Sequence, residues 1–177
     1  MQSNDVISLI ETDTLRLEPL VADHAEEMFE PLSAAAIYDY MPGRPPLSVA
    51  SLRERYVLLE TRRSPNGRDQ WLNWIVRLRS GQCAGFVQAT IYPALTGDFA
   101  FVLAPEYWDR GIAFEACQAT LPYLARELGV VALFATVDPR NARSIRLLMR
   151  LGFSEVPPTQ YPHGNVEPGD RVFALKK

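Results

Sequence analysis

The sequence predicts a mixed α/β domain whose elements follow the order β-α-α-β-β-β-α-β-α-β around a central sheet. Two observations support this order. Segments in which apolar and polar residues alternate, as in strands, are separated by segments whose apolar residues recur at helical spacing. Capping residues and turn-forming clusters fall at the boundaries between these segments. With 177 residues, the chain is long enough for one domain with a hydrophobic core and little more.

The first strand and the first two helices lie in the N-terminal third of the chain. Residues 14–20 alternate between apolar and polar side chains and predict a strand. Asp23 is placed to cap a first helix that ends near residue 32, and Ser48 to cap a second that ends near residue 63. A Pro-rich bend at residues 42–46 separates the two helices.

A three-stranded meander follows. The predicted strands cover residues 71–79, 83–92 and 99–103. The connections between them are a turn at Ser80-Gly81 and a second turn over residues 93–98. Consecutive strands joined by short turns pair in antiparallel fashion.

The C-terminal half alternates helix and strand. A helix is predicted over residues 113–128 with Pro122 inside it, which is expected to kink the helix or to cost about 3 kcal/mol of helix propensity. A strand over residues 131–137 follows, and this strand–helix–strand connection implies a parallel crossover. Asn141 caps a fourth helix, and residues 171–177 form the last strand.

Composition and charge argue against several classes of function. A net charge of −3 gives no global attraction to nucleic acid or to an anionic membrane, and no apolar run approaches the roughly 18 residues of a membrane span. Cys83 and Cys117 each fall inside a predicted element, which favours two reduced thiols in a cytoplasmic protein. His24 and His163 are expected at surface or loop positions, and no metal site is predicted.

The junction between the third meander strand and the next helix is the most informative stretch. Arg110, Gly111 and Ala113 lie where this helix begins. The first amides of a helix have no intrahelical partner, and the helix dipole favours an anion there. Gly111 lets a ligand approach the backbone closely, and the small Ala113 keeps the approach open. The junction therefore predicts a cradle for a phosphate or diphosphate.

Two motifs, in this order and at this spacing, resemble those of the GNAT superfamily of acetyl-CoA-dependent N-acetyltransferases. Trp108-Asp-Arg-Gly-Ile-Ala113 is similar to the acetyl-CoA loop of the family, Gln/Arg-x-x-Gly-x-Gly/Ala. Asn141-Ala-Arg-Ser144, followed by Leu151-Gly-Phe153, is similar to the Asn-x-x-Ser/Ala helix and Leu-Gly-Phe exit of the family. Tyr107-Trp108 and Glu115-Ala116 resemble the branch that contains the ribosomal-protein N-terminal acetyltransferases.

This resemblance implies a single GNAT-like domain over residues 10–177, preceded by a short extension of residues 1–9. It implies a mostly antiparallel sheet of about six to seven strands with a splayed parallel pair, flanked by about four helices. Three positions depart from the family pattern. Trp108 stands where many members have Gln or Arg, a change that the ribosomal-protein branch shares. Phe114 replaces a small hydroxyl residue, and Leu148 stands where many members have a tyrosine general acid.

The resemblance also implies an activity, the transfer of an acetyl group from acetyl-CoA to an amine by direct attack in a ternary complex, without a metal. It assigns these residues to the coenzyme: Val102, Leu103, Arg110, Gly111, Ile112, Ala113, Phe114, Asn141 and Ser144. The catalytic candidates are the Leu103 N–H, which would polarise the thioester oxygen, and Ser144, which would hydrogen-bond the departing thiolate. Tyr38, Tyr40 and Tyr92 are the candidate acceptor-binding residues.

The sequence shows no strong base in the core strands. Asp98, Glu106 and Tyr92, near strand ends, are the candidates. At pH 7 an α-amino group with a pKa of about 8 loses its proton at a cost of about 1.4 kcal/mol, and a lysine amine near 10.4 at about 4.6 kcal/mol. A protein N-terminus or another weakly basic amine is therefore the favoured acceptor.

Two other functions stay open at this point. One is a small-molecule acetyltransferase that confers resistance to an amino-bearing toxin or antibiotic, and the other is a CoA-binding sensor without catalysis. The basic run Arg140, Arg143, Arg146 and Arg150 is either a solvated face or a contact for the coenzyme 3′-phosphate or an acidic substrate. No direct nucleic-acid or membrane partner is expected, and the chain is expected to be a monomer or a homodimer.

Overall fold

The computed structural model describes residues 7–176 and shows an eight-stranded sheet with helices on both faces. The strands are β1 (Ile10–Glu11), β2 (Leu15–Pro19), β3 (Gln70–Leu78), β4 (Cys83–Ile91), β5 (Thr96–Leu103), β6 (Ala132–Val137), β7 (Ser154–Val156) and β8 (Arg171–Lys176). The helices are α1 (Ala25–Leu32), α2 (Val49–Glu60), α3 (Ile112–Glu127) and α4 (Ala142–Arg150). The strand order is β1-β2-β3-β4-β5-β6-β8-β7, with β5 and β6 parallel and the other neighbours antiparallel.

The mixed α/β architecture is confirmed, with eight strands where six to seven were expected. The added strands, β1 and β7, are two and three residues long, too short for alternation to identify them. β5 begins at Thr96 rather than at residue 99 because the Tyr92 N–H donates to the Thr96 carbonyl and closes the hairpin over residues 93–95. α2 ends at Glu60, earlier than the predicted residue 63.

The predicted cap at Ser48 is confirmed, whereas the cap at Asp23 is wrong. Ser48 Oγ accepts a hydrogen bond from the Ser51 N–H at 3.0 Å, and α2 begins at the next residue after Ser48. Asp23 lies inside a 3-10 turn over Ala22–His24, and α1 begins only after that turn. The Asp23 carboxylate accepts a hydrogen bond from Arg53 of α2 at 2.6 Å. The Asp23 side chain therefore links the turn before α1 to α2 instead of capping α1.

The two faces of the sheet carry separate apolar cores. On one face, α3 and α4 pack side chains such as Leu124 and Leu148 against Trp74 and its neighbours in the sheet. On the opposite face, α1 and α2 pack side chains such as Met28 against Ile75. Each face of β3 is therefore covered, which explains why its burial does not alternate.

The parallel pair β5–β6 is short, and then the two strands part. Their register covers Thr96–Asp98 against Ala132–Phe134 and ends there, so among the described residues the remainder of β5, residues 99–103, has no partner in β6. β5 stays paired with β4 throughout, and Gly85 permits this close approach because a Cβ there would lie 2.0 Å from the Val102 carbonyl oxygen. A cleft therefore opens between β5 and β6.

Packing of the domain begins before the expected start at residue 10. Ile7 is buried in the core on the α3 face, and Trp74 Nε1 donates to the Ser8 carbonyl at 3.0 Å. Residues 7–9 of the expected extension are thus part of the folded domain. The rest of that extension lies outside the described residues.

α3 is continuous through Pro122, which lies eleven residues into it. Proline has no N–H, so the helix does not supply the usual donor to the carbonyl of Gln118, four residues earlier. Both side chains are exposed. The predicted weak point is therefore a missing hydrogen bond within an unbroken helix.

The two cysteines are free and buried, as expected for reduced thiols. Burial raises the pKa of the Cys83 thiol to about 11, and it raises the pKa of Cys117 as well. Both thiols are therefore protonated near neutral pH and are poor nucleophiles. Across residues 7–176, no helix has both the length and the apolar character needed to span a membrane.

Candidate active site

The cleft between β5 and β6 continues into a groove of about 550 Å³. One wall consists of β5, the loop before α3 and the first turn of α3, and the facing wall of β6 and α4. The 3-10 turn Ala35–Asp39 and the residues just after it reach the groove from the α1–α2 side of the sheet. Elements from both faces of the sheet therefore meet at one cavity.

The register of β5 decides which backbone groups face the cleft. The Tyr92 N–H bonds the Thr96 carbonyl at one end of the β4–β5 ladder, and the Ala104 N–H bonds the Ala84 carbonyl at the other. Antiparallel strands alternate between residues that bond the partner and residues that point away.

This alternation directs the backbone groups of Phe101 and Leu103 away from β4, toward the side from which β6 has diverged. Val102 lines the groove with its side chain, but its backbone groups bond β4. The predicted backbone pairing of Val102 with a ligand is therefore wrong, and the backbone groups that face the cleft are those of Phe101 and Leu103. Leu103 keeps its predicted position at the cleft.

The Trp108 side chain bonds the last residue of β5. Its indole Nε1 donates to the Leu103 carbonyl at 2.8 Å, and the ring packs between the two apolar cores. The carbonyl of Leu103 is thereby satisfied, while its N–H remains directed into the cleft.

The N-terminus of α3 supplies further donors to the groove. Gly111 is the N-cap with φ of +79°, and a Cβ there would meet nothing within 4 Å. The first hydrogen bond of the helix runs from the Glu115 N–H to the Gly111 carbonyl, so the preceding amides have no intrahelical partner. Gly111, Ala113 and Phe114 line the groove, whereas the side chain of Ile112 is buried in the core and only its backbone is available.

Two threonines fix the position of this helix start. The Glu115 carboxylate accepts hydrogen bonds from Thr14 Oγ1 at 2.8 Å and from Thr12 Oγ1 at 2.5 Å. The first turn of α3 is thus anchored to the β1–β2 connection. A carboxylate in the first turn also interacts favourably with the helix dipole.

Asn141 and Ser144 lie across the groove, at the start of α4. Asn141 Oδ1 accepts from the Ser144 N–H at 3.1 Å, which confirms the predicted cap and leaves the Asn141 amide NH₂ able to donate. Asp138 shapes the preceding turn by accepting from the Arg140 and Asn141 backbone N–H groups at 2.8 and 2.9 Å. Hydrogen bonds from Arg140 lower the pKa of Asp138 to about 2, so this turn keeps its ion pair through neutral pH.

Basic residues of α4 line the groove at spacings of three and four: Arg143, Arg146 and Arg150. Arg143 pairs with Asp109 at 3.1 Å, and its guanidinium lies 4.3 Å from the centroid of the Trp108 ring. The Arg150 guanidinium lies 3.7 Å from the centroid of the Phe114 ring. Asp109 is the single carboxylate among the described residues that line the groove. The groove therefore favours an anionic ligand.

Three side chains predicted to contact the coenzyme or the acceptor, those of Arg110, Tyr38 and Tyr92, do not line the groove. The Arg110 guanidinium stacks on Tyr107, 5.6 Å from the ring centroid, and does not line the groove. Tyr38 Oη donates to the Leu32 carbonyl at 2.9 Å. Of the three candidate acceptor-binding tyrosines, Tyr40 alone lines the groove.

Two candidate bases belong to a separate cluster. The Asp98 carboxylate accepts from Tyr92 Oη at 2.7 Å and contacts His163 Nδ1 at 2.8 Å, while His163 Nε2 lies 2.9 Å from Thr96 Oγ1. Burial raises the pKa of Tyr92. This cluster lies outside the residues that line the groove, as does the third candidate base, Glu106.

Both histidines are more buried than expected. His24 is 8 % exposed, with Nδ1 accepting from the Val21 N–H, and the side chain of His163 is 5 % exposed. Within residues 7–176, no cluster of three His, Cys, Asp or Glu side chains is arranged to hold a metal ion. Leu148, at the position of the tyrosine acid in many GNAT members, is buried in the core.

Sequence reasoning missed Phe101 and the role of the Trp108 indole. Alternation along β5 identifies Phe101 once the hairpin closure at Tyr92 and Thr96 is known. The bond from Trp108 to the Leu103 carbonyl has no signal in the sequence, because it depends on how the loop folds back onto the strand.

Comparisons with known proteins agree with this geometry. The family model described as "Acetyltransferase (GNAT) domain" matches residues 14–154. The uncharacterized N-acetyltransferase YoaA of Bacillus subtilis (strain 168) is 25 % identical over 175 residues, which cover 96 % of this chain and 97 % of that protein.

Two solved structures share the fold. A GNAT-family acetyltransferase from Bacillus anthracis superposes with a TM-score of 0.77 at 23 % identity, covering 96 % of this chain and 98 % of that one. A ribosomal L7/L12 α-N-protein acetyltransferase in complex with coenzyme A gives a TM-score of 0.77 at 16 % identity, with 96 % and 98 % coverage. The family match spans most of the chain, including the motifs at Trp108 and Asn141, and the chain therefore belongs to the GNAT acetyltransferase family.

Proposed function

We propose that this protein transfers an acetyl group from acetyl-CoA to a primary α-amine, either a protein N-terminus or a small molecule. The observation that carries the proposal is the meeting of two sets of backbone donors in one groove. One set is the N–H groups of Phe101 and Leu103, and the other is the free amides at the start of α3.

The groove fits the chemistry of coenzyme A at both ends. A diphosphate is an anion, and the amides from Gly111 to Phe114 form the kind of helix start that binds one. Arg146 and Arg150 add positive charge beside this helix start. The backbone groups of Phe101 and Leu103 supply strand-like hydrogen bonds for an amide-containing arm lying between β5 and β6.

Leu103 and Ser144 are placed to assist the reaction at the thioester of acetyl-CoA. As the amine nitrogen attacks the thioester carbon, the C–N bond forms, the C–S bond breaks, and negative charge develops on oxygen and then on sulfur. The Leu103 N–H is held in place by the bond from Trp108 to the adjoining carbonyl and can stabilise the oxygen. The Ser144 hydroxyl can hydrogen-bond the leaving thiolate, which takes up the proton that the amine loses.

The groove lacks a dedicated strong base among its described residues. Its single carboxylate, Asp109, is paired with Arg143 at 3.1 Å, and Asp98 is held in its own cluster. An amine with a low pKa is easier to use in such a site, because deprotonating an α-amine at pH 7 costs only about 1.4 kcal/mol, against about 4.6 kcal/mol for a lysine amine. Among residues 7–176, the pairing of Asp109 also leaves no free carboxylate in the groove lining to attract a polycation such as spermidine.

The test is a thiol-release assay with acetyl-CoA and three acceptors: a short peptide with a free α-amine, the same peptide N-terminally blocked with a free lysine, and spermidine. We expect release with the α-amine peptide, with kcat/KM rising tenfold per pH unit below the amine pKa. Faster release at neutral pH with lysine or spermidine would contradict the α-amine assignment. Binding of acetyl-CoA without release on any acceptor would support a sensor instead.

A further inference from the structure

The groove follows the cleft between β5 and β6, so it has one end on each face of the sheet. On the face that carries α3 and α4, it is lined by the start of α3 and by basic residues of α4. On the face that carries α1 and α2, it is lined by the 3-10 turn Ala35–Asp39 and the residues just after it. The two ends can therefore hold groups of different chemistry.

Three strand residues in the groove lining point to the α1–α2 face. Phe101 of β5 and Ala135 of β6 belong to the core on the α3 face, and successive side chains of a strand point to opposite faces. Ala100, Val102 and Thr136, which also line the groove, therefore point to the α1–α2 face. Val102 accordingly packs against the core on that face.

The 3-10 turn and the residues after it complete this end of the groove. Ile37 is buried in the core on the α1–α2 face, Met41 packs against that core, and Tyr40 is 40 % exposed. We refer to the following residues together as the α1–α2 end: Ala36, Ile37, Tyr40, Met41, Ala100, Val102 and Thr136. Because Tyr40 and Thr136 are exposed, a substrate can enter this end from solvent.

The α1–α2 end carries no charged side chain among residues 7–176. The charged residues in the groove lining are Asp109, in the loop before α3, and the three arginines of α4. Arg140 contacts the ring of Tyr40, 5.7 Å from its centroid, but it lies outside the lining and is paired with Asp138 at 2.6 Å. A charged group held at the α1–α2 end would leave water without gaining a partner, whereas an apolar group would gain from burial there.

We propose that the acceptor is an α-amine whose α-carbon carries an apolar side chain, and that this side chain binds at the α1–α2 end. The inference rests on the proposed function, in which the coenzyme diphosphate binds at the start of α3 and the thioester lies beside the Leu103 N–H. The coenzyme then occupies the charged end of the groove and leaves the α1–α2 end to the acceptor. An apolar N-terminal residue of a protein and an apolar amino-acid amide share this chemistry.

The first test compares peptides that share one sequence and differ only in the N-terminal residue: leucine, phenylalanine, glycine, aspartate or arginine. Rates of thiol release are corrected for the pKa of each α-amine, so that kcat/KM reports on the side chain. We expect kcat/KM for leucine and phenylalanine to exceed the values for the other three by about tenfold or more.

Amino-acid amides distinguish the two sources of such an acceptor. Leucinamide and the α-amide of aspartate repeat the comparison without a peptide chain, and the leucine form should again be preferred. A higher kcat/KM for the leucine peptide than for leucinamide assigns the site to a protein N-terminus. Equal values assign it to a small molecule, and either result agrees with an apolar acceptor.

The second test adds a charge to the α1–α2 end. Ala36→Asp places a carboxylate in the lining, and Ala35→Asp places one on the neighbouring residue of the same 3-10 turn, which is exposed and outside the lining. Ala36→Asp should lower kcat/KM for the leucine peptide about tenfold and raise it for the arginine peptide, because the carboxylate supplies a partner for the cation. Ala35→Asp should keep the original preference. Titration calorimetry with acetyl-CoA confirms that both variants are folded.

The outcomes separate this inference from the proposed function. If the unaltered protein uses the glycine, aspartate or arginine peptide as well as the leucine peptide, the acceptor is not selected for an apolar side chain. Unchanged preference in Ala36→Asp with normal acetyl-CoA affinity would equally overturn the inference. In both cases the proposed function stands. Transfer to none of these α-amines, or failure to bind acetyl-CoA, would overturn the proposed function itself.

Discussion

Trp108 Nε1 donates a hydrogen bond to the Leu103 carbonyl at 2.8 Å and so joins the loop before α3 to the end of β5. The loop leads into the helix start that is proposed to bind the diphosphate, and the strand end carries the N–H proposed to stabilise the thioester oxygen. One bond therefore sets the position of two parts of the site relative to each other. Arg143 stacks on the same indole ring and extends the link to α4.

The first prediction concerns this bond. Trp108→Phe removes the indole donor, and we expect kcat/KM for acetyl-CoA to fall about tenfold and the free energy of unfolding to fall by about 1 kcal/mol. Trp74→Phe is the matched control, because it also removes an indole bond to a backbone carbonyl, that of Ser8. It should lower stability without changing kcat/KM. Equal kinetic losses in both variants would show that the Trp108 bond has no special role.

The second prediction concerns Gly111, whose φ of +79° is unfavourable for any residue with a Cβ. Gly111→Ala should lower the free energy of unfolding by about 1–2 kcal/mol through backbone strain alone, since its Cβ meets no neighbour within 4 Å. Relief of that strain shifts the amides at the start of α3, and acetyl-CoA affinity should drop by at least fivefold.

Gly67→Ala is the control for that comparison. Gly67 has φ of +71° and equally open space around a Cβ, but it lies in the turn before β3, outside the groove. Calorimetry on both variants should find similar stability losses and a loss of affinity in Gly111→Ala alone. Unchanged affinity in Gly111→Ala would contradict the role of these amides.

The third prediction separates capping from catalysis at the start of α4. The Asn141 cap uses the Ser144 backbone N–H, so Ser144→Ala should leave the melting temperature unchanged while lowering kcat about tenfold with little change in KM. Asn141→Ala should cost about 1 kcal/mol of stability because the cap is lost. A normal kcat in Ser144→Ala would remove the hydroxyl from the mechanism.

The fourth prediction distinguishes the tyrosines. Tyr40 lines the groove and is 40 % exposed, so Tyr40→Leu should raise KM for the acceptor severalfold and leave KM for acetyl-CoA unchanged. Tyr92→Phe loses a bond to the Asp98 carboxylate and should lower the free energy of unfolding by about 1–2 kcal/mol with normal kinetics. A rise in acceptor KM in Tyr92→Phe would restore Tyr92 to the acceptor site.

Local signals predicted much of the fold. The caps at Ser48 and Asn141 and the strand–loop–helix junction at Gly111 depend on neighbours within a few residues, and the structure has each where the sequence indicated. The predicted helix cap at Asp23 was wrong because a 3-10 turn satisfies the same local pattern as a helix start. β1 and β7 are too short to show a period, and they are identified only by their pairing with β2 and β8.

Part of the candidate site was predictable from the sequence, and part of it depends on strand pairing. The motif positions facing the groove follow from the family resemblance, whereas the choice of Phe101 over Val102 follows from a register that only the paired strands define. The burial of His163 against Asp98 brings together residues 65 positions apart, and no local pattern encodes such a contact.

Hydrogen exchange tests whether the amides at the start of α3 hold the coenzyme. On saturation with acetyl-CoA, we expect exchange of the Gly111–Phe114 amides to slow by about tenfold or more, while the first amides of α2, beyond Ser48 and away from the groove, keep their rates. Binding of acetyl-CoA that leaves the Gly111–Phe114 amides unprotected would show that these amides do not hold the coenzyme.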